Sequence, residues 1–120
     1  MARILLAEDD ESMLNFLILA LGRAGHDVVA TTNGLAALEA LDEHEAFDLL
    51  LSDIVMPGTD GIELAQKATD KCPDLKVMFI TGFAAIAMQQ PSQSTSNAKV
   101  LSKPFHLNDL VDQVEQLLAA

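Results

Sequence analysis

The stretch "LLLSDIVMPGTDG", residues 49–61, runs three leucines into Asp53 and then breaks at Pro57 and Gly58. Apolar residues on successive positions bury both faces of a short segment, the pattern of a parallel strand covered by helices. A carboxylate at the mouth of such a strand, with the chain turning away just beyond it, is rigidly held yet open to solvent.

The same pattern recurs outward from this stretch. Ile4 to Ala7 reads as a first strand, Val28 to Thr31 as a second and Val77 to Ile80 as a fourth, with Val100 and Leu101 the core of a shorter fifth. Helical patterns lie between them. Ser12 is placed to cap a helix that reaches Ala24 and stops at Gly25, with Met13, Phe16, Leu17, Ala20 and Leu21 on its inner stripe. A second helix opens near Asn33 and repeats Leu35, Leu38 and Leu41. Asp60 opens a third, with Ile62, Leu64, Ala65 and Ala68 inward. "FAAIAMQQ" followed by "PSQSTSN" predicts a short fourth helix and then a mobile segment, because a helix-breaking proline leads a run of loop-forming residues. A fifth helix runs from Leu107 to the end, carrying Leu110, Val111, Val114, Leu117 and Leu118.

Five strands alternating with five helices predict one α/β domain over residues 1–120, a doubly wound five-stranded parallel sheet with five flanking helices. A chain of 120 residues closes one hydrophobic core, and a hydrophobic content of 50% argues against disorder. The formal net charge of −11 argues against nucleic-acid binding, since few cations are present to neutralise phosphates. Cys72 stands alone, so no internal disulfide forms, in keeping with a reducing compartment. No secretion signal and no membrane-length apolar window are present, and a soluble, cytoplasmic protein is expected. His26, His44 and His106 lack metal-ligand spacing.

In doubly wound sheets, ligands bind beyond the carboxyl ends of the strands where the winding reverses. The strand ends here are Glu8-Asp9-Asp10, Asp53, Thr81-Gly82 and Ser102-Lys103-Pro104. Each alone has a plain structural explanation: acids before a helix complement its dipole, and a lysine before proline is commonly a surface residue. Together they bring acids, a hydroxyl and a lysine to one edge.

With Glu8-Asp9, Asp53 in "SDIVMPGTDG", Thr81 in "FITGF" and Lys103-Pro104-Phe105 in "LSKPF", the chain resembles response-regulator receiver domains from end to end. That resemblance implies the flavodoxin-like, CheY-like receiver fold. It implies that Asp53 is the nucleophile accepting a phosphoryl group from a phosphohistidine, and that the acyl phosphate is slowly hydrolysed. Asp9, Asp53 and the main-chain carbonyl of Val55 would hold Mg²⁺, with Glu8 acting mainly through a bound water. Lys103 and Thr81 would contact phosphoryl oxygens, Pro104 turning the lysine back across the sheet edge. A phosphatase of the haloacid-dehalogenase type also uses a strand-end aspartate but wants a second Asp where this chain has Val55.

In receivers, a threonine and an aromatic on the fifth strand move together on phosphorylation. Thr81 is kept, but Val100 stands in the aromatic's place; Phe83 and residues 91–97 are candidates for a different moving part, and a merely buried strand position is the other reading of Val100. Leu14, Ile18 and Leu19 sit where a receiver's first helix usually shows charge. Leu14 and Ile18 share a face and are read as a partner-docking pair, together with Pro104, against the alternative of scattered surface leucines.

The chain stops where the fifth helix ends, so no output domain is expected and the message must pass by protein contact. A closer resemblance to single-domain cell-cycle members of the family in alphaproteobacteria implies three partners. They are a ChpT-like histidine phosphotransferase as donor, a hybrid histidine kinase upstream of it, and the ClpX unfoldase of ClpXP, engaged by the unphosphorylated form. The alternative is a phosphoryl shuttle that passes the group to a second phosphotransferase.

Overall fold

The structure, a computed structural model, describes residues 2–43, 46–54, 56, 60–81, 99–102 and 105–119. Five strands, β1 (Arg3–Ala7), β2 (Asp27–Thr31), β3 (Leu49–Asp53), β4 (Lys76–Thr81) and β5 (Lys99–Ser102), form one parallel sheet in the order β2-β1-β3-β4-β5. Among the described residues the helices are α1 (Glu11–Arg23), α2 (Gly34–Glu43), α3 (Gly61–Lys71) and α4 (Leu107–Ala119). The expected short helix after β4 falls within residues 82–98, outside the described residues.

The apolar runs become strands because both faces of the central ones are covered. Every residue of β3 is buried. Leu5, Leu50, Val77 and Phe79 point into a cluster built with α2 and α3. Ile4, Leu6, Leu49, Leu51, Met78 and Ile80 point the other way, against α1 and α4. The edge strand β2 is only half covered, and its residues are partly or fully exposed.

Local chemistry sets the helix ends. Asp10 caps α1, its carboxylate accepting from the Ser12 and Met13 amides at 2.9 and 3.3 Å. This corrects the expectation that Ser12 is the cap; Ser12 lies in the first turn, where its amide is one of those needing an acceptor. At the other end Gly25 adopts φ +96° and the His26 amide donates to Leu21 O, a turn that needs a left-handed residue. Asn33 caps α2 through the Ala36 amide at 2.8 Å, and Asp60 caps α3 through the Glu63 amide at 2.8 Å.

The inner stripe of α1 holds Leu17, Ala20 and Leu21 buried and Met13 partly buried, as expected, and differs at Leu14, Phe16 and Ile18. Leu14, Leu17 and Leu21 form the inward line with Ala20, and Leu14 is only 8% exposed. Ile18 is partly buried against the same cluster. Leu14 and Ile18 are therefore not an exposed pair, and the docking reading that rested on their exposure loses that support. Phe16, expected inside, is 39% exposed and leans on Phe105 with ring centroids 6.4 Å apart, while Leu19 is 61% exposed. Val100 is 45% exposed on β5, which removes the reading of it as a buried strand residue.

Candidate functional site

The winding reverses between β1 and β3. From β1 the chain crosses outward to β2, then returns past β1 to β3 and on to β4 and β5. In sheets of this kind the ligand crevice is at the carboxyl ends of the two strands that flank the reversal, here β1 and β3. Glu8 and Asp9 follow β1 directly, and Asp53 closes β3.

The backbone carries each acid to that crevice. The Glu8 amide donates to Thr31 O at 3.1 Å, extending the ladder one residue past β1. The Glu8 side chain is 1% exposed, and its carboxylate accepts from the Asp10 amide at 3.1 Å. Asp9 is exposed, and Asp53 is 8% exposed. Ligand oxygens of Glu8, Asp9 and Asp53 all lie within 4.8 Å of one another. The third acid of the triplet, Asp10, is used differently: it caps α1 and offers its amide to Glu8.

Three carboxylates at this spacing repel. Two charges 4.8 Å apart cost about 3 kcal/mol at an effective dielectric near 20. A fold that spends stability on such a cluster gains from a hard cation. Oxygen donors, few in number and one of them open to solvent, suit an ion that keeps several of its waters.

The Ile54 amide donates to Ile80 O at 3.3 Å, tying the end of β3 to β4. One residue further on, β4 ends at Thr81, whose backbone pairs in register with Ser102 of β5. The sheet therefore brings the ends of β1, β3, β4 and β5 to one edge, as the strand-end residues imply. Val55, Phe83, Lys103 and Pro104 lie outside the described residues, as does His44.

Two residues near Asp53 carry no functional reading in the sequence. Ser52 is buried and its hydroxyl donates to the main-chain oxygen of Asp53 at 2.8 Å. A Cβ added at Gly61 would lie 2.0 Å from that same oxygen. The glycine closing "MPGTDG" is the visible signal for the second; a serine among leucines is the signal for the first.

Among the described residues no helix is long and apolar enough to cross a membrane. The response regulator receiver domain family matches residues 4–115. The chain is 59% identical over 120 residues to the response regulator receiver protein CpdR of Brucella abortus strain 2308, covering all of this chain and 99% of that one. The crystal structure of a response regulator receiver protein from Sinorhizobium medicae superposes with a TM-score of 0.90 at 32% identity, covering 99% of this chain and 95% of that one. The receiver domain of the hybrid histidine kinase CckA superposes with a TM-score of 0.83 at 32% identity, over 97% of this chain and 98% of that one. With the acidic crevice at the switch point and the family match over nearly its whole length, this chain belongs to the response regulator receiver domains.

Proposed function

We propose that this chain is a single-domain response regulator that accepts a phosphoryl group on Asp53 from a histidine phosphotransferase. The observation that carries the reading is the carboxylate cluster: two buried carboxylates and an exposed one within 4.8 Å, at the reversal of a parallel sheet. Asp53 is the group best placed to attack, since it ends a fully buried strand yet keeps its carboxylate at the crevice.

One Asp53 oxygen forms a bond to phosphorus as the P–N bond of the donor phosphohistidine breaks, its electron pair returning to the imidazole. Glu8, Asp9 and Asp53, with the Val55 carbonyl, would hold Mg²⁺, which offsets the repulsion between the incoming phosphoryl oxygens and the carboxylates. Lys103 and Thr81 take the roles of charge donor and hydroxyl donor to the phosphoryl oxygens. The same site hydrolyses the acyl phosphate slowly. Phosphorylation acts through Thr81 with Val100 and Phe83 as the other candidate moving parts; the exposure of Val100 supports a role at the surface of β5.

Likeness to CpdR along the whole chain and to the CckA receiver supports a relay headed by a hybrid histidine kinase, with a ChpT-like phosphotransferase as immediate donor. The unphosphorylated form would engage ClpX and promote delivery of substrates to ClpXP. The separating experiment is a ClpX pull-down with and without Mg²⁺–beryllofluoride. Binding lost on beryllofluoride addition supports the adaptor reading. Equal or absent binding in both states, with rapid return of the phosphoryl group to a second phosphotransferase, makes the protein a phosphoryl shuttle instead.

A further inference from the structure

The acids of the crevice explain what the site attracts, but not what keeps Asp53 aimed at it. Two neighbours with no charge converge on its main-chain carbonyl. Ser52 continues "LLL" with a hydroxyl in a strand that is otherwise apolar up to that point, and it is buried. By strand alternation it shares a face with Leu50, which sits in the apolar cluster under α2 and α3. A hydroxyl among such neighbours is costly unless it is hydrogen-bonded. This one donates to Asp53 O at 2.8 Å.

Gly61 approaches the same oxygen from α3. A Cβ at this position would stand 2.0 Å from Asp53 O, 2.9 Å from Asp53 C and 2.9 Å from Ile54 Cα. Separations under 3.0 Å are essentially never seen for real Cβ atoms, and every atom here is backbone. The Gly61 amide meanwhile donates to Ile54 O at 2.8 Å. This bond satisfies one of the amides at the start of α3 and ties Gly61 to the residue that follows β3. Any side chain at position 61 must push α3 and the Asp53–Ile54 peptide about 1 Å apart, and the peptide it pushes is the one that carries the carboxylate.

We propose that Ser52 and Gly61 are positioning residues for phosphoryl acceptance, fixing the Asp53 main chain from the buried side so that its carboxylate faces the crevice. The inference rests on Asp53 as the acceptor. Displacements of about 1 Å in a reacting group cost up to about 100-fold in rate, because a near-attack geometry is lost.

The test uses the full chain with acetyl phosphate and Mg²⁺, following the Asp53 adduct by mass spectrometry and Mg²⁺ affinity by titration calorimetry. Gly61→Ala, Ser52→Ala, Ser52→Thr and Leu117→Ala are compared at a temperature where each is folded. Leu117 is buried in α4 on the opposite face of the sheet, so its truncation loosens the fold without touching the Asp53 peptide. The expected result is a slowing of about 10- to 100-fold for Gly61→Ala. Ser52→Ala should slow the reaction more mildly, Ser52→Thr should restore it, and Leu117→Ala should leave it near wild type. Wild-type rates in both Gly61→Ala and Ser52→Ala overturn the proposal, as does equal slowing in Leu117→Ala. Should Gly61→Ala fail to fold, the alanine and threonine variants at position 52 decide alone: loss with rescue upholds it, and two equal rates overturn it. A wild-type chain without an adduct at Asp53 overturns instead the reading on which the proposal rests.

Discussion

Replacing Asp53 by Asn should make the metal-free protein more stable and remove most of its response to Mg²⁺. The side chain keeps its shape and loses its charge. Glu8 and Asp53 are both buried with oxygens no more than 4.8 Å apart, so their repulsion is about 3 kcal/mol at an effective dielectric near 20. Asp9 is exposed, and its repulsion with Asp53 is closer to the water value of about 1 kcal/mol. Favourable contacts that Asp53 loses as an anion take back part of this sum, and a net gain of about 1–2 kcal/mol is expected. For 120 residues the unfolding entropy is about 250 cal/mol/K, so Tm should rise by about 4–8 °C. Magnesium acts in the same direction on the wild type, relieving the repulsion by binding instead of by removing a charge. At ten times its dissociation constant it stabilises the folded state by about 1.4 kcal/mol, or about 5–6 °C. The assay is thermal unfolding by circular dichroism in EDTA and in a Mg²⁺ series at constant ionic strength, which separates binding from screening. Two results would refute the reasoning: a metal-free Asp53→Asn protein that melts below wild type, or identical Mg²⁺ shifts in the two proteins.

Three further outcomes can be checked by urea unfolding. Leu14→Ala empties a buried position in the cluster under α1 and α4 and should cost about 2–4 kcal/mol, whereas Leu19→Ala on the exposed side should stay within about 0.5 kcal/mol; equal effects would mean that the helix is turned the other way. Asp10→Ala removes the acceptor for two amides and should lower stability by about 1 kcal/mol, with Mg²⁺ affinity little changed because Asp10 is outside the carboxylate cluster. His26 accepts from the Ala2 amide through Nδ1 at 3.2 Å, which leaves the Nε2 proton to donate to Glu115 at 2.9 Å. His26→Leu should therefore cost about 1–3 kcal/mol, since the Ala2 amide is left without its acceptor; a neutral result would show that water takes over this role.

The sheet was legible because its central strands β1, β3 and β4 are apolar runs buried on both faces, while the less covered edge strands β2 and β5 showed as shorter apolar runs between helical patterns. Helix starts at Asn33 and Asp60 were legible from their cap chemistry. At α1 the cap was placed at Ser12, but the residue still extended before the helix is Asp10, with ψ 113°. The edges of the inner stripe of α1, at Leu14, Phe16 and Ile18, were beyond sequence for a different reason. Residues 16–21 are apolar without a break, so several stripes fit equally well and only packing against β1 and α4 selects one. Phe16 illustrates this, since what half-covers it is Phe105, 89 positions along the chain and invisible to periodicity. The three acids of the crevice were readable as strand ends. Ser52 among leucines and the glycine closing "MPGTDG" stand out in the sequence, but their roles were not readable there, because both act on one shared oxygen atom.

The most direct measurement of the central claim is peptide mass spectrometry after treatment with acetyl phosphate and Mg²⁺. One phosphoryl group on Asp53, labile to hydroxylamine, not formed when EDTA replaces Mg²⁺ and missing from Asp53→Ala, is the predicted result. No adduct at Asp53 in the wild type, or the same adduct persisting in Asp53→Ala, contradicts the account.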